Sequence, residues 1–288
     1  MNVTIRPGKA VGTVPAPPSK SMAHRLLIGA ALARGTSRIF GVAFSEDILA
    51  TLDCLRAMGV QVHIDGSTVT ITGTGLDTAA IRQPLACRES GSTLRFFIPL
   101  ALLCGVPVTF TGTEKLLSRP LEVYRQLCAE RGLAFEHTDT ALRVCGPLTG
   151  GEFCIPGDIS SQFITGLLFA LPLTAQDSTI RITPPVESRS YIDLTLQALR
   201  SFGFSAQWLD ENTLFIPGGQ HGSAADVTVE GDYSGAAFFV AMNALGSNIQ
   251  ITGLAPDSLQ GDRICTRHLE SLCAGRPVID LTDCPDLG

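Results

Sequence analysis

The chain repeats one local pattern four times: a short polar segment, rich in serine, opens an apolar helix. The segments recur about every 70 residues, and a regular period of this kind is typical of a repeat architecture. They are Pro18-Ser19-Lys20-Ser21, Ser90-Gly91-Ser92-Thr93, Ser160-Ser161-Gln162 and Asp232-Tyr233-Ser234-Gly235. Each presents hydroxyls and free backbone N–H groups at a helix N-terminus, where anions bind. Because Lys20, Arg25 and Arg95 add positive charge to two of them, the repeat predicts a ligand with several anionic groups.

Between these segments the hydrophobic pattern switches between helical and strand periods. The first unit predicts a helix over 21–33, a strand over 37–42, a second helix over 48–58 and a hairpin around Asp65-Gly66. The same order recurs in the second and third units. In the fourth unit the predicted elements are helix 235–245, strand 248–253, helix 263–273 and a single strand 278–281. Strands that alternate with helices predict an α/β (α+β) fold with crossover connections and one added hairpin per unit.

Composition excludes several classes of function. A net charge of −6 argues against nucleic acid or anionic membrane as a general partner, so an anion site must be a local basic cluster. The most apolar window, 96–103, is too short to cross a bilayer, and residues 1–5 are typical of a strand and not of a signal peptide. The nine cysteines have no C-x-x-C pair and the five histidines have no ligand spacing, which favours reduced cytosolic thiols and predicts no metal site.

Some polar side chains could bind the predicted ligand, and each also has a simpler structural interpretation. Cations at a helix N-terminus oppose the helix dipole, so Lys20, Ser21 and Arg25 favour a bound anion over solvated surface charge. Arg95 beside Gly91 is explained equally well by a capped helix start that carries a surface arginine. Arg119 lies in a polar loop that is either a ligand clamp or a solvated turn.

The third unit offers a further polar group. Ser160, Ser161 and Gln162 exceed what N-capping of one helix requires. Ser188 and Tyr191 open the next helix, and Tyr191 either contacts a small ring or packs as an ordinary half-buried tyrosine. The neighbouring acids Glu46 and Asp47 resemble a catalytic pair, but the helix dipole favours acids in a first turn, so we predict that they are structural.

Together these segments resemble the enolpyruvyl transferases, specifically the 5-enolpyruvylshikimate-3-phosphate synthase family. The matching stretches occur in the family's order and spacing. They are Pro18-Ser19-Lys20-Ser21 with Arg25, Ser90 to Arg95, Ser118-Arg119-Pro120, Ser160-Ser161-Gln162, Glu187 to Asp193, Val229 to Ser234, and Cys284-Pro285-Asp286. Each stretch is a weak signal alone, and the set is specific.

The resemblance implies enolpyruvyl transferase-like βαβαββ units arranged in inverse α/β barrel domains, with the active site in a cleft between two domains. One complete three-unit domain would span 15–225, and 1–14 with 226–288 would form part of a second. The implied reaction moves the carboxyvinyl group of phosphoenolpyruvate to the 5-hydroxyl of shikimate 3-phosphate and releases phosphate, as in the shikimate pathway. No metal or organic cofactor is implied, and we expect a cytoplasmic monomer without nucleic-acid or membrane partners.

The resemblance also implies roles for individual residues. Shikimate 3-phosphate would be held by Ser21, Arg25, Ser160, Ser161, Gln162, Ser188 and Tyr191. Phosphoenolpyruvate would be faced by Lys20, Gly91, Arg95, Arg119 and again Gln162. Asp286 would be the base near the 5-hydroxyl, and Lys20 would stabilise charge or move a proton. Glycine at position 91 would leave room for the inhibitor glyphosate, which Gly91→Ala would crowd.

The family pattern has six units, and four are legible in this sequence. The family's acid/base glutamate and its neighbouring lysine therefore cannot be assigned, and we expect the 288-residue chain alone to bind weakly and not to turn over. Two alternatives stay open. One is a UDP-N-acetylglucosamine enolpyruvyl transferase, although that branch has asparagine where Ser21 stands and usually a cysteine in the loop over 111–120, which has none here. The other is a non-catalytic repeat binding module.

Overall fold

The computed structural model describes residues 4, 8–76, 81, 83–275, 278–282, 284 and 287. The helices are α1 (Lys20–Leu32), α2 (Glu46–Ala57), α3 (Gly91–Leu102), α4 (Glu114–Leu117), α5 (Glu122–Glu130), α6 (Ser161–Ala170), α7 (Arg189–Ser201), α8 (Tyr233–Ala244) and α9 (Cys265–Cys273). The strands are β1 (Val11–Pro15), β2 (Ala33–Phe40), β3 (Gln61–Asp65), β4 (Thr68–Thr74), β5 (Leu85–Ala86), β6 (Val108–Thr111), β7 (Ala134–His137), β8 (Leu142–Cys145), β9 (Gly151–Pro156), β10 (Ser178–Thr183), β11 (Gln207–Trp208), β12 (Thr213–Ile216), β13 (Gly222–Ser223), β14 (Val227–Thr228) and β15 (Asn248–Thr252).

Three sheets have the same internal order, which confirms the repeat. In each, the strand after the first helix pairs antiparallel with the last strand of a hairpin: β2 with β4, β6 with β8, and β10 with β12. The other hairpin strand lies outside it, and a parallel strand lies on the opposite edge. The predicted hairpin at Asp65-Gly66 forms between β3 and β4, with Gly66 at φ +56° as a tight turn requires. The expected α/β class with one hairpin per unit is correct.

The first helix of each of these three units lies inside the molecule and the sheets lie outside. In α1, every residue from Met22 to Leu32 is buried, and α3 and α6 are buried almost as completely. A helix that is apolar on all sides is stable only when it is covered on all sides. Aromatic rings join these helices, as where Phe96 of α3 meets Phe169 of α6 edge-on, with ring centroids 5.7 Å apart. This packing brings the helix starts together at one end.

The structure differs from the sequence prediction at several element boundaries. β2 begins at Ala33, directly after α1 and ahead of the predicted start at 37, because its pairing with β4 extends back to Arg34. Gly73 permits this, since a Cβ at that position would lie 2.2 Å from the Ala33 carbonyl oxygen. The polar loop before Arg119 contains the short helix α4, capped by Thr113.

Two predicted strands near the chain ends have different outcomes. Residues 278–281 are described and do not form the predicted strand. Of the predicted strand over 1–5, only Thr4 is described, and it lies outside any strand, so the rest of that prediction falls outside the described residues. In the part of the chain that the structure describes, no helix combines the length and apolar character needed to cross a membrane.

The fourth unit is joined to the N-terminal strand. β1 pairs in parallel with β15 along its whole length, and Pro18 forms an isolated bridge with Gly231. The backbone N–H of Ser19, immediately before α1, donates to the Glu230 carbonyl at 2.8 Å. These contacts bring the start of α8 beside the start of α1. The division into domains at 15 and 225 stays a prediction.

Candidate anion-binding site

A cavity of about 390 Å³ lies where the starts of α1, α3, α6 and α7 meet. Three of these helices begin in the same way: the side chains of Ser19, Ser90 and Ser160 accept a backbone N–H two or three residues ahead. The wall contains most of the ligand residues predicted from the sequence, namely Lys20, Ser21, Arg25, Ser160, Ser161, Gln162, Ser188 and Tyr191. Helix starts that converge in this way orient several N-terminal dipoles toward one anion.

Arg25 is the most unusual charge in this wall. It is 3% exposed, and its guanidinium donates to Thr195 Oγ1 at 2.9 Å, to the Ser21 carbonyl at 2.7 Å and to the Tyr191 carbonyl at 3.0 Å. Among the described residues, no carboxylate forms an ion pair with it. Burial lowers the pKa of Arg25 to about 10, so it stays charged at neutral pH. A buried cation without a counter-ion is costly unless a bound anion neutralises it.

Lys20 has a protein counter-ion, the first-turn acid Asp47. Lys20 Nζ lies 2.7 Å from Asp47 Oδ2, and this ion pair is consistent with the structural role predicted for Asp47. Burial raises the pKa of Asp47, but hydrogen bonding and charge from Lys20, with help from His24 and Ser90, outweigh it and hold the pKa below its usual value. Lys20 is therefore held at the cavity as one half of an ion pair.

Arg95, Arg119 and Gly91 form a second cluster next to the cavity. Arg95 Nη1 donates to Gln162 Oε1 at 2.7 Å, and Gln162 Nε2 donates to Ser92 Oγ at 3.1 Å, which links this cluster to the cavity wall. A Cβ on Gly91 would lie 2.4 Å from Arg119 Nη1, so the Arg119 guanidinium packs directly against that glycine. Burial and the like charge of Arg119 lower the pKa of Arg95. Two neighbouring guanidiniums of this kind favour an anion between them.

The remaining predicted residues have different positions. Ser188 lies in the left-handed region, with φ +56°, immediately before α7, and its hydroxyl does not cap that helix. Strained residues of this type concentrate at binding sites. The Ser188 N–H donates to the Thr282 carbonyl at 3.2 Å, which brings the segment 278–282 to the edge of the cavity. The predicted base Asp286 lies outside the described residues.

His24 is a wall residue that sequence reasoning missed. It is 2% exposed, its Nδ1 lies 2.8 Å from Thr51 Oγ1, and its Nε2 is buried without a hydrogen-bond partner among the described residues. Burial lowers the pKa of His24 to about 3, and the charges of Arg25 and Lys20 act in the same direction against Asp47. The imidazole is therefore neutral at physiological pH. The sequence signal that could have identified His24 is its spacing from Lys20, because residues one helical turn apart lie on the same face of a helix.

We expect His24 to make the protein sensitive to mild acid. Its pKa is about 3 when folded and 6.5 in an unfolded chain, so between these values the unfolded state binds the extra proton and stability falls as pH falls. From pH 7 to pH 5 this linkage removes about 2 kcal/mol of unfolding free energy. Urea titrations at both pH values should show that His24→Gln loses less unfolding free energy between pH 7 and pH 5 than the wild type does, by about 2 kcal/mol. His221→Gln, at an exposed site, should lose as much as the wild type. Equal losses in all three proteins would contradict this prediction.

Comparison with known proteins first defines the class. The structure of the enolpyruvyl transferase NikO from Streptomyces tendae superimposes with a TM-score of 0.65 at 17% identity, covering 91% of this chain and 60% of that one, and shows a shared fold. EPSP synthase from Acinetobacter baumannii superimposes with a TM-score of 0.75 at 27% identity, covering 86% of this chain and 57% of that one. The expected enolpyruvyl transferase-like fold is therefore confirmed.

The family follows from the sequence comparisons. The sequence model described as EPSP synthase (3-phosphoshikimate 1-carboxyvinyltransferase) matches residues 5–275. The 3-phosphoshikimate 1-carboxyvinyltransferase of Clostridium kluyveri is 42% identical over 99% of this chain and 71% of its own length, and that of Clostridium perfringens is 39% identical over 99% and 72%. The chain belongs to the EPSP synthase family. It spans over two thirds of these relatives and about 57% of the solved EPSP synthase.

Proposed function

We propose that the protein transfers the carboxyvinyl group of phosphoenolpyruvate to the 5-hydroxyl of shikimate 3-phosphate and releases phosphate. The observation that carries this proposal is Arg25: a buried guanidinium without a carboxylate partner among the described residues, at the point where several helix starts meet. Such a site suits a phosphorylated ligand, and family membership narrows the ligand to the substrates of this reaction.

The charges around the cavity divide into two groups that suit two anionic substrates. The phosphate of shikimate 3-phosphate is assigned to Arg25 and the hydroxyls of Ser21, Ser160, Ser161 and Ser188, with Tyr191 beside the ring. Phosphoenolpyruvate is assigned to Lys20, Arg95 and Arg119, with Gln162 between the two groups and Gly91 beneath Arg119. Because the whole chain carries a net charge of −6, this local concentration of cations is what attracts the substrates.

The chemistry needs an acid, a base and groups that stabilise developing charge. The 5-hydroxyl oxygen bonds to C2 of phosphoenolpyruvate while C3 takes up a proton. Loss of a C3 proton together with the phosphate then restores the double bond. We assign Asp286 as the base for the hydroxyl, and Lys20 as the cation that neutralises the reacting phosphoenolpyruvate. The arginines hold the phosphate before and after it leaves. This scheme needs no metal or organic cofactor, and we propose that it operates in a cytoplasmic monomer.

Calorimetric titration of the 288-residue chain tests the binding step. We expect saturable binding of shikimate 3-phosphate and none of UDP-N-acetylglucosamine. The reverse result would favour the amino-sugar enolpyruvyl transferases and reject the proposal. Binding of neither ligand would reject the assigned substrate site.

A phosphate-release assay with both substrates tests the chemistry. Because the chain spans 71% of the Clostridium kluyveri relative, the assay uses a chimera in which the remainder of that relative follows residue 288, and we expect phosphate release from it. Binding of shikimate 3-phosphate without phosphate release from this chimera would favour the non-catalytic binding module.

A further inference from the structure

Arg25 is anchored by two threonines on the helices beside it. Thr165 of α6 and Thr195 of α7 are both fully buried, and their hydroxyl oxygens lie 3.0 Å apart. Arg25 Nε donates to Thr195 Oγ1 at 2.9 Å, and Arg25 Nη2 lies 3.5 Å from Thr165 Oγ1. Buried polar groups need hydrogen-bond partners, and these three side chains supply them to one another across α1, α6 and α7.

The direction of each proton in this cluster follows from its neighbours. An arginine N–H only donates, so Thr195 Oγ1 accepts from Nε of Arg25. If the Thr195 hydroxyl gave its proton to Thr165, the Thr165 proton would have no acceptor among the described residues. Thr165 therefore donates to Thr195, and Thr195 donates to the Tyr191 carbonyl at 2.9 Å. Both lone pairs and the proton of the Thr195 hydroxyl are thus in use.

The guanidinium of Arg25 keeps one donor for a ligand. Nε uses its N–H on Thr195, and Nη1 uses one of its two N–H groups on the Ser21 carbonyl. Nη2 has two oxygen atoms within reach, the Tyr191 carbonyl at 3.0 Å and Thr165 Oγ1 at 3.5 Å. The second N–H of Nη1 has no acceptor among the residues that the structure describes. Because Arg25 lies in the cavity wall, this N–H is the one available to an anion in the cavity.

We propose that Thr195 is a positioning residue for the recognition of the phosphorylated substrate, with Thr165 as its support. By accepting from Nε, the Thr195 hydroxyl restrains rotation of the guanidinium and keeps the remaining N–H of Nη1 at the cavity. The hydroxyl is itself fixed, because its own proton bonds the carbonyl of the preceding helical turn. This inference rests on the proposed function for the identity of the ligand, shikimate 3-phosphate, whereas the anchoring of Arg25 is a property of the protein alone.

The first experiment observes the anchor without any ligand. In nitrogen-15 spectra of the arginine-labelled chain, with Arg25→Met used for assignment, the Hε proton of Arg25 should exchange slowly with solvent. Thr195→Val keeps the shape of the side chain but removes the acceptor, so this exchange should become at least about tenfold faster. Thr195→Ser keeps the hydroxyl and should retain slow exchange.

Thr174→Val is the matched control for the loss of a buried threonine hydroxyl. Thr174 is 4% exposed and donates to the Leu171 carbonyl at 2.7 Å, outside the cluster around Arg25. This variant should therefore leave both the exchange of the Arg25 Hε proton and the binding of shikimate 3-phosphate unchanged. Urea unfolding of every variant establishes that it is fully folded under the conditions of the spectra and titrations.

The second experiment measures binding of shikimate 3-phosphate by titration. Thr195→Val should weaken binding about tenfold, and Thr195→Ser by about threefold or less, because only the first variant loses the hydrogen bond to the charged group. In a chain that already carries Arg25→Met, addition of Thr195→Val should weaken binding less than about twofold, because no guanidinium is left to position.

Three outcomes would overturn the positioning role of Thr195. One is unchanged Hε exchange in Thr195→Val, because the hydroxyl would then not anchor Arg25. Another is wild-type affinity of Thr195→Val for shikimate 3-phosphate, and the third is an equal loss of affinity with and without Arg25. If the wild type does not bind shikimate 3-phosphate, the proposed function fails, and the exchange of the Hε proton still decides whether Thr195 anchors the guanidinium.

Discussion

Replacement of Arg25 by methionine is expected to weaken binding of shikimate 3-phosphate at least about 100-fold, because the buried guanidinium supplies a fixed positive charge to the phosphate in a site shielded from water. The residue is 3% exposed, lies in the cavity wall and has no protein carboxylate to share its charge among the described residues. Its removal leaves the phosphate with hydroxyls and helix dipoles alone. Titration calorimetry at fixed ionic strength measures this loss.

The same substitution should leave the unfolding free energy within about 1 kcal/mol of the wild type. Removal of an unpaired buried charge relieves its desolvation cost, and methionine fills much of the same volume. The acceptors that Arg25 leaves behind keep other partners: Thr195 Oγ1 bonds the Tyr191 carbonyl at 2.9 Å and Thr165 Oγ1 at 3.0 Å. Loss of binding without loss of stability separates a ligand residue from a structural one.

Two control variants complete this experiment. Arg25→Lys keeps the charge but not the planar fork, and should recover only part of the affinity. Arg56→Met removes an exposed arginine that pairs with Asp53 within α2, and should change neither binding nor stability measurably. Normal affinity of Arg25→Met for shikimate 3-phosphate would remove the main support for the proposed site.

The elements with a strong period were predictable from the sequence, and so was the position of most candidate site residues around one cavity. Three helix openings of similar composition, each followed by an apolar run, implied equivalent positions in three units. A fourfold repeat alone does not say which helix ends meet. The structure brings those of α1, α3 and α6 together because these helices are buried on almost all sides and share one interior.

The features that sequence reasoning missed depend on pairs of residues far apart in the chain. Lys20 and Asp47 are 27 residues apart, and Arg95 and Gln162 are 67 apart, so no local pattern links them. Asp47 satisfies the ordinary preference for acids in a first turn, which concealed its role as a counter-ion. His24 has no metal-ligand spacing, and only its position one turn after Lys20 hinted at a shared site.

Gly166→Ala is expected to disrupt the molecule at the contact between α3 and α6. A Cβ at this position would lie 2.3 Å from Tyr124 Oη and 2.5 Å from the Arg95 carbonyl oxygen. Tyr124 is fully buried and its hydroxyl lies within hydrogen-bond distance of the carbonyls of Arg95 and Phe163, at 2.8 and 3.0 Å. Backbone cannot yield as a flexible side chain can, so the methyl group must push the two helices apart.

The expected loss is about 3 kcal/mol of unfolding free energy, because overpacking and the broken Tyr124 hydrogen bonds outweigh the roughly 1 kcal/mol that alanine gains over glycine in a helix. Separation of α3 from α6 should also lengthen the 2.7 Å contact between Arg95 Nη1 and Gln162 Oε1 and weaken binding of phosphoenolpyruvate. Urea unfolding and calorimetry measure the two effects.

Gly105→Ala is the matched control, since a Cβ there meets no atom within 4 Å, and it should be neutral or slightly stabilising. Equal unfolding free energies of Gly166→Ala and Gly105→Ala would mean that α3 and α6 do not pack as closely as the distances around Gly166 indicate.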